Sequence, residues 1–221
     1  MDINNIFSND KHSIKDGVFI FDESDDYTTN FGSQWKDFQQ VQIDSLNQNN
    51  ISQKFLNRIL FNDENILKNK NILEIGCGAG RFTEYLVKHA NLCVSVDLST
   101  AIFHNVSKGN KNLILVKADV MKLKNKFKFD IVFCRGVIQH TPDPFLTIKL
   151  LHNFINEDGN IFFDIYKMPK FGLFHPKYLI WRPLVQFFFT YDGLKKFLIK
   201  NINWILKLKK FVRKIFFNSY F

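Results

Sequence analysis

The stretch that decides the fold is Asn71-Ile-Leu-Glu-Ile-Gly-Cys-Gly-Ala-Gly-Arg-Phe-Thr83. Its apolar start predicts a buried strand from Asn71 to Ile75, a glycine loop, and then a helix from Arg81 to Ala90. The alternating glycines allow a sharp turn and a close ligand approach, because no Cβ stands in the way. Glu74 lies inside the apolar strand, where a charge is costly unless it has a partner. The order strand, glycine turn, helix is typical of a ligand cradle in an α/β sheet.

Further apolar runs along the chain predict a series of parallel strands. A helix is predicted over residues 144–156, with Asp143 as its cap, Pro144 in its first turn and Asp158-Gly159 as its stop signal. Ser99 is predicted to cap another helix near Thr100. The alternation of strands and helices predicts an α/β fold with a doubly wound, mostly parallel sheet, whose ligand site lies at the carboxyl ends of the strands. The predicted strands are Leu92–Asp97, Leu113–Val116, Phe129–Cys134 and Gly159–Ile165.

The segment before the central stretch is predicted to form a lead-in. Residues 1–30 are polar and indicate a loosely held segment with one β-like run, Gly17–Phe21. Phe31, Trp35 and Phe38 have helical spacing, so their face either docks on the main domain or closes over the ligand. Ile51–Phe61 predicts a second amphipathic helix with Ile51, Phe55, Ile59 and Leu60 on one side. We therefore expect a lead-in with covering helices over residues 1–60 and an α/β core over residues 61–165.

Composition indicates a folded protein of ordinary hydrophobic content with an uneven charge distribution. The 221 residues carry a net charge of +9, yet residues 165–221 hold twelve Lys and Arg against one acid, Asp192. The three cysteines are far apart without a Cys-x-x-Cys pair, which argues against a disulfide framework or a metal site and favours a reducing cytoplasm. No signal peptide and no membrane-spanning run are expected.

Asp97 ends the second predicted strand, 17 residues after Gly80. In a doubly wound sheet that position places a carboxylate beside the cradle, where it can bind ribose hydroxyls; alternatively, it only caps a helix. The dinucleotide fingerprint needs Gly or Ala where this chain has Arg81, which argues against NAD. A phosphate-binding Gly-Lys-Ser/Thr sequence is missing as well.

These motifs resemble those of a known family. Leu73–Phe82 resembles motif I of the class I S-adenosylmethionine-dependent methyltransferases, and Val96–Ser99 resembles their acidic ribose-binding motif. Ala118–Val120 is similar to the segment that faces the adenine, and Phe129–Pro144 to the fourth motif of the type 11 small-molecule branch. Tyr27–Asp44, which contains Asn30-Phe-Gly-Ser-Gln-Trp35, resembles the lead-in of a subgroup often encoded near glycan or surface-polymer genes, and His175–Tyr178 with Trp181–Pro183 resembles its continuation.

The resemblance implies a binding role for S-adenosyl-L-methionine at each matching position. Glu74 holds the loop or meets the amino group of the cofactor, and Asp97 binds the ribose. Asp119 and the Val120 amide contact the adenine. The remaining implied cofactor-binding residues belong to the glycine loop, the end of the second strand and the sulfonium side: Gly76, Cys77, Gly78, Ala79, Gly80, Leu98, Cys134, Arg135 and Gly136.

His140 is the candidate general base, because it lies just beyond the fourth strand and histidine can accept a proton near neutral pH. The alternative is that His-Thr-Pro-Asp-Pro144 only forms the loop that starts the next helix. The resemblance predicts an enzyme that methylates a small-molecule acceptor, such as a glycan or lipid-linked intermediate. One alternative is a truncated, non-catalytic cofactor-binding or scaffold protein. Another is a nucleotide-linked oxidoreductase, which Arg81 disfavours because it argues against NAD binding.

The C-terminal segment, residues 166–221, departs from the family pattern. Two final strands are expected there, but the sequence instead predicts a basic amphipathic helix, with apolar residues at helical spacing and Lys196, Lys200, Lys207, Lys210 and Lys214 opposite. We expect that the chain lacks those strands, with truncation as the favoured reason. The helix either packs on its own domain or a second subunit, or lies on the inner face of a membrane. Nucleic-acid binding is disfavoured because no recognition motif is present.

Overall fold

The computed structural model describes residues 2–9, 11–22, 39–166, 179–180 and 182–217. It divides the chain into two units, Met1–Tyr166 and Lys167–Phe221. The first unit contains a seven-stranded sheet in the order β1-β2-β5-β4-β3-β6-β7, in which only β1 and β2 pair antiparallel. The strands are β1 Ser13–Lys15, β2 Val18–Ile20, β3 Asn71–Ile75, β4 Leu92–Asp97, β5 Leu113–Lys117, β6 Phe129–Cys134 and β7 Ile155–Phe163.

Four helices accompany this sheet within the described part of the first unit. They are α1 Asp44–Asn47, α2 Ile51–Ile59, α3 Thr83–His89 and α4 Pro144–Phe154. The prediction of a doubly wound, mostly parallel sheet is confirmed. Within the described residues β7 is the last strand of the sheet. The two further strands that the family pattern would add after it are not found among these residues.

Both faces of the sheet are covered, which explains why its central strands are almost continuously apolar. Successive side chains of a strand point to opposite faces, so each strand supplies two hydrophobic clusters. One cluster joins Leu73, Val94 and Val132 to Leu151 and Phe154 of α4. The other joins Ile72, Cys93 and Ile131 to Leu56 of α2 and to Tyr85 and Leu86 of α3.

The first 22 residues differ from the prediction of a loosely held lead-in. Ile6 and Phe7 are buried, and the Ser8 amide donates to the Lys124 carbonyl oxygen at 2.7 Å. β1 and β2 form a hairpin, and β2 pairs with β5, so the backbone of β5 is satisfied on both sides. The signal for this hairpin was Asp16-Gly17, whose positive φ angles of 51° and 77° suit a two-residue turn.

The predicted apolar face of α2 is confirmed except at its start. Leu60 is buried and Phe55 and Ile59 pack partly buried against the same cluster, whereas Ile51 is 65% exposed and Leu56 is buried in addition. The packing against α3 selects this stripe, since Leu56 and Leu60 belong to the same cluster as Leu86. The predicted helix through Phe31, Trp35 and Phe38 lies outside the described residues, as does the segment His175–Tyr178.

The Asp158-Gly159 pair lies within β7 and does not end a helix as predicted. α4 ends at Phe154, and β7 follows directly. The register shifts opposite Phe129–Ile131, where a Cβ on Gly159 would lie 3.0 Å from the Asp130 carbonyl oxygen. A glycine inside a strand commonly marks such a close backbone approach. Asp143 caps α4 as predicted by accepting from the Leu146 amide.

The second unit contains the helices α5 Arg182–Phe188 and α6 Tyr191–Phe217. α6 confirms the predicted C-terminal helix. Within the described ranges, none of the helices combines the length and the apolarity that crossing a membrane requires.

Candidate functional site

A cavity of about 600 Å³ opens at the carboxyl ends of β3, β4 and β6. β4 and β6 flank β3, which makes this edge the point where the direction of strand succession reverses. Open α/β sheets bind their ligands at such a switch point. The cavity is lined by nine of the predicted site residues: Gly76, Cys77, Gly78, Asp97, Leu98, Val120, Arg135, Gly136 and His140.

The glycine loop enters this cavity in a conformation that only glycine permits. Gly76 has a φ of 78°, and a Cβ there would collide with Cγ2 of Val137. Gly80 has a φ of 100°, and a Cβ there would lie 2.6 Å from Oδ1 of Asn105. The chain then makes a turn through Arg81 and Phe82, so α3 begins at Thr83, two residues later than predicted.

Asp97 joins the end of β4 to the glycine loop. Its Oδ2 accepts from the Gly78 amide at 2.7 Å, and its Oδ1 accepts from the amide and hydroxyl of Ser99 at 2.8 and 2.6 Å. Burial raises the pKa of Asp97, while the hydrogen bonds from Ser99 and Gly78 act in the opposite direction. Ser99 is the N-cap residue of the short 3-10 helix Thr100–His104, at the predicted position, but its side chain makes no capping hydrogen bond because its hydroxyl donates to this carboxylate. The carboxylate is thus fixed at the wall of the cavity.

Glu74 supports the loop from behind and does not line the cavity. It is 2% exposed, and its Oε2 accepts from the hydroxyls of Thr83 and Ser95 at 2.6 and 2.7 Å. The side-chain amide of Asn105 donates to the same Thr83 hydroxyl at 3.1 Å. Of the two predicted roles, this geometry supports the holding of the loop, since Glu74 ties β3 to β4 and to the start of α3.

Burial raises the pKa of Glu74 to about 7, which makes stability depend on pH. Because this pKa is higher in the folded than in the unfolded chain, its contribution is present at low pH and lost as pH rises through 7. We expect the free energy of unfolding to fall by about 2 kcal/mol between pH 5.5 and pH 8 from this group. Urea unfolding at both pH values measures the change.

The control for this prediction is Glu74→Gln, which keeps an acceptor for Thr83 and Ser95 but cannot ionise. This variant is expected to lose the pH-dependent decrease. An equal decrease in Glu74→Gln and in the unmodified chain would show that another group titrates.

Four predicted residues lie near the cavity without lining it: Ala79, Gly80, Asp119 and Cys134. Asp119 accepts from the Met121 amide at 2.9 Å and so caps the short helix Val120–Lys122. Its contact with adenine stays a prediction, whereas Val120 itself faces the cavity.

The three cysteines are buried and free. Burial raises the pKa of the Cys77 thiol well above its usual value and that of Cys134 to about 12, so neither is activated as a nucleophile. Among the residues that the structure describes, no group of three His, Cys, Asp or Glu side chains could hold a metal ion.

Two arginines at the cavity flank the ring of Phe55. The Arg135 guanidinium lies 4.2 Å from the ring centre, and that of Arg81 lies 5.9 Å from it. Arg81 donates to the Ser52 hydroxyl and the Gln42 side-chain oxygen at 3.1 and 2.9 Å. In the sequence, Arg81 argues only against NAD. Its place directly after the glycine loop was the signal that it reaches the site.

Arg135 is held by an ion pair on one side. Its Nη2 lies 3.2 Å from Oδ2 of Asp164, whose Oδ1 accepts from the Gly136 amide at 2.6 Å. Its Nε is buried and has no hydrogen-bond partner among the described residues. Burial lowers the pKa of Arg81 and the Asp44 carboxylate acts in the opposite direction, much as Asp164 pairs with Arg135. An anionic ligand group would therefore bind through guanidinium hydrogens that these carboxylates leave unused, such as that of Arg135 Nε.

His140 lies at the mouth of the cavity, at the end of the short helix Ile138–His140 that follows β6. Its ring is exposed and packs edge-to-face against Tyr166, with ring centres 5.8 Å apart. The loop is anchored to α4 because the hydroxyls of Thr141 and Thr147 lie 2.8 Å apart. Tyr166 and the lead-in residues Val41 and Gln42 also line the cavity, and the sequence had not indicated them as site residues.

Comparison with known proteins is consistent with this geometry. The sequence model of the family described as "Methyltransferase domain" matches residues 46–207, well over half of the chain. This confirms the resemblance that the motifs carry.

Two individual relatives match less than half of this chain. The ubiquinone biosynthesis O-methyltransferase of Coxiella burnetii is 32% identical over 103 residues, which is 44% of this chain and 44% of the relative. The protein of the same name from Saccharophagus degradans is 30% identical over 112 residues, 48% of each chain. The chain thus spans about half the length of the curated relatives it matches.

A solved structure with a related fold is the N-methyltransferase NodS from Bradyrhizobium japonicum WM9, in complex with S-adenosylhomocysteine. It has a TM-score of 0.44 and 21% sequence identity, and the match covers 51% of this chain and 58% of that one.

Proposed function

We propose that this chain, which belongs to the methyltransferase domain family, is an S-adenosylmethionine-dependent methyltransferase that acts on a small-molecule acceptor. The observation that carries the proposal is Asp97, a carboxylate held by Gly78 and Ser99 at the wall of a cavity at the switch point of the sheet. An acid in this position suits a ribose, because Oδ2, which accepts from the Gly78 amide, can accept a further hydrogen bond from a ribose hydroxyl.

The other residues of the cavity fit the remaining parts of this cofactor. Leu98 and Val120 supply apolar surface for the adenine ring, and the glycine loop leaves room for the methionine part. Arg81 and Arg135 would bind the carboxylate of the methionine part, because a guanidinium is a strong donor to carboxylates. The site therefore offers a complementary group to each end of the molecule.

S-adenosylmethionine supplies a methyl group already activated by a sulfonium. The contribution of the chain is to hold that methyl group and the acceptor in line. Because both are already positioned, less translational and rotational entropy is lost on reaching the transition state. Thr83, Ser95 and Ser99 hold Glu74 and Asp97 rigidly, so the loop keeps its shape without rearrangement.

His140 would take the proton of the acceptor. Its exposed ring lies at the cavity mouth beside Tyr166, where an acceptor can enter. The relatives are named as O-methyltransferases, and this supports a hydroxyl group as the methylated group. A hydroxyl is a weak nucleophile until a base removes its proton, so this acceptor class needs a residue in the position of His140. A glycan or lipid-linked intermediate would supply such hydroxyls.

Calorimetric titration with S-adenosylmethionine, S-adenosylhomocysteine and NAD tests cofactor choice. We expect micromolar binding of the first two and none of NAD. Mass spectrometry then follows transfer of a deuterated methyl group to a panel of hydroxylated acceptors. Tighter binding of NAD, or no binding by the folded chain, would contradict the proposal. Cofactor binding without transfer to any acceptor would favour a binding or scaffold protein instead.

A further inference from the structure

The helix α6 presents a row of lysines along one face. Lys196, Lys200, Lys207 and Lys210 are exposed and recur at intervals of three, four or seven residues, which places them on the same side of a helix. The only acid in α6 is Asp192, near its start. The face is therefore positively charged from Lys196 to Lys210.

Large apolar side chains opposite and beside the lysine face of α6 are also exposed. Leu198 and Ile202, opposite this face, are 41% and 45% exposed, and Phe197 and Trp204, at its border, are 44% and 62% exposed. The preceding helix α5 adds Phe187 and Phe188, at 83% and 70% exposed. Exposed large apolar side chains on two successive helices indicate an interaction site.

We propose that α6 binds membrane surfaces that contain anionic lipids, lying in the plane of the interface. Helices that lie in the membrane interface have lysine on one face and Trp, Phe or Leu on the other, and they are often 20–30 residues long. α6 has this pattern over 27 residues. Its apolar side chains would enter the boundary between headgroups and acyl chains, and its lysines would face the anionic headgroups.

The charge pattern favours an anionic lipid surface over a second copy of the chain. A second copy of the chain would offer this row only like-charged lysines and, within α6, the single acid Asp192, so it supplies no charge complement. An anionic membrane neutralises the whole row at once. The finding that no described helix is suited to span a membrane agrees with a helix that lies on the surface.

Vesicle co-sedimentation with the full chain tests this inference. At low salt we expect at least tenfold more binding to vesicles of phosphatidylglycerol and phosphatidylcholine than to vesicles of phosphatidylcholine alone. Because salt screens the attraction, binding should fall as salt is raised. Quenching of Trp fluorescence by brominated acyl chains should occur in the unmodified chain and decrease in Trp204→Ser.

Two matched variants change the net charge by the same amount, one in α6 and the other in the first unit. The triple variant Lys196→Glu, Lys200→Glu, Lys207→Glu is expected to lose at least nine tenths of the binding. The control Lys68→Glu, Lys70→Glu, Lys111→Glu alters exposed lysines of the first unit and should bind as the unmodified chain does. Thermal unfolding shows whether each variant is folded; should the α6 variant fail to fold, the lipid and salt dependence of the unmodified chain still decides.

Three results would overturn the inference. One is binding that is equal for anionic and neutral vesicles. Another is a loss of binding in the control variant but not in the α6 variant. The third is a dimer, measured by sedimentation equilibrium, that dissociates in Trp204→Ser while anionic vesicles are not bound. None of these results depends on methyl transfer, so this inference and the proposed enzyme activity can fail separately.

Discussion

Replacing His140 by alanine is expected to lower the turnover number by about 10²- to 10⁴-fold, the range that a positioned general base contributes. His140 lines the mouth of the cavity beside Tyr166, whereas Asp97 and Glu74 hold the glycine loop. The affinity for S-adenosylhomocysteine should therefore stay the same. The rate is measured as formation of S-adenosylhomocysteine with an acceptor found in the transfer screen, and the affinity by calorimetry.

The control for this prediction is His152→Ala, because His152 is exposed on α4 and is absent from the cavity lining. That variant should turn over at the normal rate. His140→Gln keeps a hydrogen-bonding side chain but cannot act as a base at neutral pH, so it should be as slow as the alanine variant. Unchanged turnover in both His140 variants would leave His140 as a loop residue only.

Replacing Asp97 by alanine is expected to weaken the binding of S-adenosylhomocysteine by about 10- to 100-fold. A hydrogen bond to a charged group contributes about 1.5–3 kcal/mol, and each 1.4 kcal/mol is a factor of ten in affinity. The variant also removes the acceptor of the Gly78 amide, so the loop loses one of its anchors. Calorimetric titration measures the affinity, and thermal unfolding shows that the chain remains folded.

Asp97→Asn separates the two contributions in that prediction. Its side-chain oxygen can still accept a hydrogen bond, so the loss of affinity should be smaller than in Asp97→Ala. Asp158→Ala removes an exposed carboxylate in β7 and should leave the affinity unchanged. Normal affinity in a folded Asp97→Ala variant would show that this carboxylate does not bind the ribose.

The two predictions affect different steps, which makes them informative together. His140 should change turnover alone, whereas Asp97 should change cofactor affinity. If substitutions at His140 and at Asp97 changed only the free energy of unfolding, both residues would have a structural role.

The chain order of the central strands and the position of the site at their ends follow from local sequence patterns. Each of three elements, β3, the glycine loop and β4, is specified by its own short run of residues. This is because apolar runs and glycine turns act over a few positions. The closeness of Asp97 and Gly78, 19 residues apart, was also predictable. Neighbouring parallel strands end at the same edge, so their final residues must meet there.

The side chains that support and surround that site are set by contacts between elements that lie far apart in sequence. Glu74 needed a partner, but the choice of Thr83 and Ser95 depends on how α3 and β4 pack against β3. The approach of Arg81 and Arg135 to Phe55 likewise joins three segments that are distant in sequence. Local propensity carries no information about such contacts, since they form only when separate elements are brought together.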